Sequence, residues 1–451
     1  MRQCGAFFDG ENMKYKPELH KLSNGVPVIL DPMDMETAQF KIVFFTGSRD
    51  EKPNEYGITH FCEHMFCKAS KRFPSDRART EYLEDNGCSL NASTGMDSLM
   101  FHGKAIPRNL GVLIDCIGEQ LQNPLFSMDE IEQERGPILD ELRRREDDTT
   151  RTDFNFLYKN VFGGRDNHTL GTPENIKSFT RKQMLFFIRR RMSASNCVIC
   201  ISGKIQNREK LFAQLEKSFG FLRPFNVKEN NTLVYTPKCA HKLARTRNNV
   251  GVKVLFPRVW PMDLEHRFER LCVNHFLRIL RDRLYKKLRQ ENGLVYGVSK
   301  TSFGEDDVVL DAFTTQTAPE NVAKCVALIA QTCADMYYNN SFTGQDVTRL
   351  NNRMELGDME YFDNPDVRAR DLVGEYRDYG TVYNFPGIVK MGRSIKRADI
   401  IKNTRGIFDN KISIITIGPK FDGDLMQIWR DNFTPSGENI LSAAAQKKKT
   451  R

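Results

Sequence analysis

Three stretches of this chain recur in the same order 212 to 216 residues downstream. Phe40-Lys-Ile-Val-Phe44 is echoed by Val252-Lys-Val-Leu-Phe256. The helix start Phe126-Ser-Met-Asp-Glu-Ile131 is echoed by Phe342-Thr-Gly-Gln-Asp-Val347, and Cys197-Val-Ile-Cys-Ile-Ser-Gly203 by Ile412-Ser-Ile-Ile-Thr-Ile-Gly418. A repeat covering nearly half of a 451-residue chain means two copies of one topology rather than one large core. Each copy reads strand, helix, strands, helix, helix, strand, so the expected fold class is α+β: two homologous halves, each a mixed, mostly antiparallel sheet with packed helices. The polar, proline-marked stretch from Pro224 to Asn249 separates them. This gives domains at 1–225 and 250–435, a linker at 226–249, and a basic tail at 436–451 that reads as a solvated end.

Only the first half carries an obvious chemical motif. His60-Phe-Cys-Glu63-His64 is an H-x-x-E-H pentapeptide in an apolar-rich run. On a helix, positions i and i+4 share a face, so His60 and His64 can point at one ion. Glu63 precedes the second histidine, the reversed order of a zinc peptidase motif, and its carboxylate is a candidate general base for a water at the metal. By itself the pattern also fits two ordinary histidines of an amphipathic helix. A third ligand from another element separates the two readings, because a hydrolytic zinc keeps three protein ligands and one open position.

The best source of that ligand is the stretch beginning at Ser127, which has an N-cap serine and acidic first-turn residues. Glu134 and Glu141 lie seven apart on it, about two turns, so one carboxylate can ligate while the other supports. Gly136-Pro137 intervenes, and proline in a helix interior costs roughly 3 kcal/mol. The helix is therefore expected either to start near Pro137 or to kink there. At offsets of 212 and 216, His60, Glu63, His64 and Glu141 map to Cys272, His275, Phe276 and Gly357, so the second half has no equivalent metal set.

His60, Glu63 and His64, followed 77 residues after His64 by Glu141 in the setting Glu134-Arg135 to Asp140-Glu141, resemble the pitrilysin, insulin-degrading enzyme and mitochondrial processing peptidase family. Leu22 to Asp31, Phe45 to Glu51 and Leu170 to Asn175 resemble further stretches of that family, and the similarity runs over residues 16 to 433. The resemblance implies two halves facing across a cleft and one Zn2+ per chain. His60, His64 and Glu141 would be its ligands, Glu63 the general base and Glu134 a supporting carboxylate. It also implies that the strand carrying Asn91 and Ala92 is an edge that binds substrate backbone, as extended peptides do by strand addition. In the second half, Arg289 and Tyr296 would hold substrate backbone and the oxyanion. The implied activity is zinc-dependent endopeptidase action on extended peptides or unfolded polypeptide. A homodimer is possible, and a non-catalytic scaffold or partner subunit is the alternative.

Composition narrows the other classes. Forty per cent hydrophobic and 28% charged residues fit a globular chain, and no apolar run approaches the roughly twenty residues of a membrane span. The net charge of +9 is spread along the chain without a nucleic-acid motif, so no nucleic-acid partner is expected. Eleven scattered cysteines suit a reducing compartment, and the N-terminal residues lack a signal or transit pattern. The expected location is the cytoplasm, or the mitochondrial matrix or a related organelle in a eukaryote. Cys197 and Cys200 fall on a strand with their side chains on opposite faces, and Cys62 reads as a core residue.

Overall fold

The computed structural model describes residues 16–163, 168–227, 234–305, 308–382, 385–409 and 411–435. The basic tail 436–451 and residues 228–233 of the linker lie outside them. Two compact units form. One comprises residues up to Asp148, Asn167–Asn231 and Asp358–Pro386; the other comprises Thr149–Asp166, Thr232–Gly357 and the chain from Gly387 onward. The division drawn from the sequence is contiguous, whereas these units are not.

The first unit holds a six-stranded sheet of β1 (Glu18–Lys21), β2 (Pro27–Pro32), β3 (Ala38–Phe44), β4 (Cys88–Thr94), β5 (Leu99–Ala105) and β6 (Cys197–Gly203), in the order β1-β2-β6-β3-β5-β4. Only β2 and β6 run parallel. The second unit holds β7 (Cys239–Leu243), β8 (Val250–Pro257), β9 (Ser299–Glu305), β10 (Val308–Thr317) and β11 (Ser413–Gly418), in the order β7-β11-β8-β10-β9, with β7 and β11 parallel. This is the first sheet without β1. The fold is thus α+β, with one topology used twice.

The repeat extends to backbone detail. Phe126 and Asn340, 214 apart, have φ of 48° and 50° and are the only non-glycine residues in the left-handed region among those described. They precede the paired helices Met128–Asp147 and Gly344–Phe362. An arginine clamps each turn: Arg181 donates to the carbonyls of Leu125 and Phe126, and Arg397 to those of Asn340 and Phe342. Left-handed backbone costs roughly 1–2 kcal/mol for an L-residue, and these donated bonds oppose that cost.

Every residue of β3 and β6 is buried because the first sheet is covered on both faces. That explains the unbroken apolar run at 197–201. Cys197, Ile199 and Ile201 join the core on the helix side, whereas Val198 and Cys200 pack with Ala369, Leu372 and Val373 on the far side. Both cysteines are free thiols on opposite faces of β6, and Cys62 is buried in the main core. The far face is covered by the helix Pro365–Tyr379, which comes from the second half of the sequence. Arg368 from that helix reaches Asp31 of β2, with Nε 2.8 Å from Oδ2, and both side chains are fully buried. Correspondingly, the helix Thr149–Val161, which starts 216 residues earlier, belongs to the second unit. There Asp153 pairs with Arg247 through contacts of 2.6 and 2.9 Å, and the Phe154 ring meets Phe303.

The helix does not start near Pro137: one helix runs from Met128 to Asp147 through Pro137. Pro137 lacks the N–H that would have bonded the carbonyl of Gln133, but Gln133, Gly136 and Pro137 all lie on the exposed face. The freed carbonyl is open to water, so the helix persists where a buried proline would have broken it.

Candidate metal centre

The histidine helix, Ile58–Phe66, is set by three local features. Gly57 has a φ of 91°, and a Cβ there would fall 2.4 Å from the Cα of Gly171, so only glycine fits this close approach. Glu51 caps the helix: its Oε2 accepts the Gly57 N–H at 2.7 Å and its Oε1 the Thr59 N–H at 2.8 Å. Ile58, Phe61, Cys62, Met65 and Phe66 fill the core, which fixes the rotation of the helix and turns His60 and His64 toward the glutamate helix Met128–Asp147. Burial pushes the Glu51 carboxyl up to about 8 even though it accepts the Thr59 and Gly57 amides. Glu51→Ala is expected to destabilise the protein by about 2 kcal/mol or more, because it leaves two buried N–H groups without an acceptor. Urea denaturation would measure this, and Glu51→Gln, which keeps an acceptor oxygen, should lose less.

Three donor atoms converge. His60 Nε2 and His64 Nε2 are 3.2 Å apart, and Glu141 Oε2 lies 3.4 Å from the first and 3.6 Å from the second. They form the one group of three or more metal-donor side chains found among the described residues. Three atoms at these separations lie on a circle of about 2 Å radius, the length of a Zn–N or Zn–O bond at roughly 2.0–2.2 Å. Two imidazoles and a carboxylate are also a donor set that zinc takes at hydrolytic sites. The residues therefore fit the ion, with Glu141 supplied by the helix that runs through Pro137.

Glu134 supports this set. Its Oε1 lies 2.8 Å from His64 Nδ1 and its Oε2 lies 2.6 Å from Lys68 Nζ. A carboxylate only accepts, so His64 Nδ1 carries a hydrogen and Nε2 is the atom left for a metal. His60 Nδ1, by contrast, is buried without a hydrogen-bond partner. Glu63 is held at the end of β4, where Thr94 Oγ1 donates to its Oε2 at 2.5 Å.

Burial disfavours the charged form of His64, but the hydrogen bonds to Glu134 and Glu141 outweigh it and hold the imidazole up at about 9. His60 first, and then His64, hold the Glu141 carboxyl well below the usual carboxylate range. Without metal, His64 therefore contributes stability that is complete below its ordinary pKa of roughly 6.5 and is lost as pH rises through about 9. A metal must displace that proton. Zinc affinity is expected to rise about tenfold per pH unit through neutrality and to level off above pH about 9, with proton release on binding. Competition titrations with a chelator across this range, paired with calorimetry in two buffers, would check both.

Asn91 and Ala92 lie on β4, the outermost strand of the first sheet, and Asn91 Oδ1 accepts the Ala92 N–H at 2.9 Å. Arg289 and Tyr296 belong to the second unit. Arg289 sits in the π-helical turn Lys286–Glu291 and donates to the Val295 carbonyl, with its guanidinium 5.2 Å from the Tyr296 ring centre. Tyr296 is in a loop and 88% exposed. Cys272, His275 and Phe276 are buried on the helix Arg267–Tyr285, where His275 bonds the Leu271 carbonyl and Asn351. Thr94, Lys68 and Glu51 were not singled out from the sequence. Of these only Lys68 had a readable signal, its position four residues after His64.

The family model described as insulinase (peptidase family M16) matches residues 28–173, and that described as peptidase M16 inactive domain matches residues 178–354. An uncharacterized zinc protease of Rickettsia bellii is 23% identical over 412 residues, covering 90% of this chain and 98% of that protein. The beta subunit of the mitochondrial-processing peptidase of Dictyostelium discoideum is 31% identical over 229 residues, covering 49% of this chain and 48% of the subunit. The chain therefore aligns with about half the length of that relative. The crystal structure of a protease from Helicobacter pylori superposes with a TM-score of 0.74 at 17% identity, over 90% of this chain and all of that one, and so shares the fold.

Proposed function

The chain belongs to the insulinase family of peptidases, M16, and on that footing we propose that it is a zinc-dependent endopeptidase acting on extended peptides or unfolded polypeptide. The observation that carries the proposal is the convergence of His60 Nε2, His64 Nε2 and Glu141 Oε2 within 3.2–3.6 Å of one another. One zinc per chain is the ion this set would hold. When bound, zinc supplies a Lewis acid that lowers the pKa of water to about 7 and polarises a peptide carbonyl.

The protein's own groups do the rest. Glu63, held by the Thr94 hydroxyl, takes the proton of the attacking water and returns it to the leaving amine nitrogen. Glu134 keeps the His64 ring directed. An extended peptide adds to the outer edge of β4, the strand that carries Asn91 and Ala92, through main-chain hydrogen bonds, which hold any sequence and leave the choice of cut to side-chain contacts. The strand that takes the substrate ends at the residue that holds the base. Arg289 and Tyr296 are assigned by resemblance to substrate backbone and oxyanion, and the exposed Tyr296 phenol is open to a ligand.

A non-catalytic partner subunit is the second reading, favoured by the match of residues 178–354 to a domain described as inactive. Mass-spectrometric mapping of cuts in a library of unstructured peptides separates the two. The peptidase reading expects cuts that a chelator abolishes. Zinc-loaded protein that cuts no peptide supports the partner-subunit reading instead.

A further inference from the structure

Lys68 lies just beyond the histidine helix, one turn past His64. Its ammonium is 2.6 Å from Glu134 Oε2, and the other oxygen of the same carboxylate is 2.8 Å from His64 Nδ1. The Glu134 side chain is only 8% exposed and that of Lys68 is 27% exposed. A carboxylate this buried, with one oxygen satisfied and the other bare, leaves a buried acceptor unpaired or turns toward water. With Lys68 on one side and His64 on the other, both oxygens are engaged and the carboxylate is a fixed acceptor. The other acids around Lys68 are Asp76, at 3.9 Å, and Glu130, which is occupied by the Ala69 amide and Ser127. Glu134 is thus the hydrogen-bonded partner of Lys68.

We infer that Lys68 is a positioning residue of the metal site: the chain Lys68–Glu134–His64 sets which nitrogen of His64 bears the hydrogen and where the other points, and through that sets the affinity for metal. The inference rests on the proposed zinc site but not on peptidase activity. Lys68 has no part in the donor set, and the Glu134 carboxylate is what joins it to His64, whereas its charge alone would repel a cation and weaken binding.

The test is a chelator-competition titration with zinc alone on the full chain, comparing wild type, Lys68→Met, Lys68→Arg, Glu134→Gln and the double variant Lys68→Met/Glu134→Gln. Lys68→Met is expected to bind zinc about tenfold more weakly, with faster release, and Lys68→Arg to stay within about threefold of wild type. In the Glu134→Gln background, Lys68→Met should change nothing further. Metal-free Lys68→Met is expected to lose some stability, because one buried oxygen of Glu134 is left bare, so zinc affinity is compared where every variant is fully folded and the double variant separates positioning from folding. Lys68→Gln is the companion neutral variant, read in the same way if Lys68→Met folds poorly. Wild-type affinity in the neutral variants, or an equal loss with and without Glu134, would overturn the inference alone. A wild-type chain that takes up no zinc would overturn the metal site and this inference with it.

Discussion

Replacing Glu63 with glutamine is expected to lower peptide cleavage by about two to four orders of magnitude while zinc stays near one per chain. Glutamine has the shape of glutamate and can still accept the Thr94 hydroxyl bond through its amide oxygen, so the helix and the metal set should survive. It cannot take a proton from water. The three converging atoms come from His60, His64 and Glu141, so none of them is removed. Initial rates at matched zinc content are the measurement, and a Glu63→Gln enzyme within a few-fold of wild type would exclude Glu63 as the base. His64→Ala should behave differently, since it removes a ligand and should lose zinc and cleavage together.

The second large effect concerns stability. Arg368→Met is expected to cost about 3–5 kcal/mol, because it leaves Asp31 buried without its partner. Burial raises the proton affinity of Asp31, and the Arg368 bonds oppose that rise. Asp31→Val combined with Arg368→Met should recover most of the loss, since replacing both members of a buried pair with apolar groups is often neutral or better. The exposed member of the nearby pair Lys41–Asp366 makes that contact worth far less. Urea denaturation of the two single variants and the double variant gives the coupling energy directly. An Arg368→Met protein as stable as wild type would mean that the helix Pro365–Tyr379 is held by its apolar face alone.

The same residues mark where the sequence was readable and where it was not. The repeat was legible because β3, β6, β8 and β11 are largely buried strands, and such strands are written as short, apolar-rich runs that survive divergence. β7, with alternating exposure, left no comparable trace. The exchange of helices between the halves was not legible, because an amphipathic helix states that it needs an apolar surface and not which sheet provides it. Arg368 illustrates the point: its partner Asp31 lies 337 residues away.

In the metal site, helical spacing related His60 to His64 and Glu134 to Glu141, and the family resemblance, rather than spacing, named Glu141 as the ligand and Glu134 as its support. Pro137 pointed to a helix start that does not occur, because spacing does not report that its turn lies on the exposed face. Thr94 was invisible for a similar reason. Its hydroxyl meets Glu63 only because β4 lies beside the histidine helix, a tertiary fact.

The central claim, that this constellation holds a zinc ion that cleaves peptides, is tested most directly by counting zinc and cuts on the same samples. Zinc per chain by elemental analysis and initial cleavage rates would be taken before chelation, after it, and after adding back one equivalent of zinc, for wild type and His64→Ala. The expected result is one zinc in wild type, cleavage that disappears with the metal and returns with it, and neither metal nor cleavage in His64→Ala. Cleavage that survives zinc removal or persists in His64→Ala would contradict it, as would a fully zinc-loaded wild type that cuts nothing.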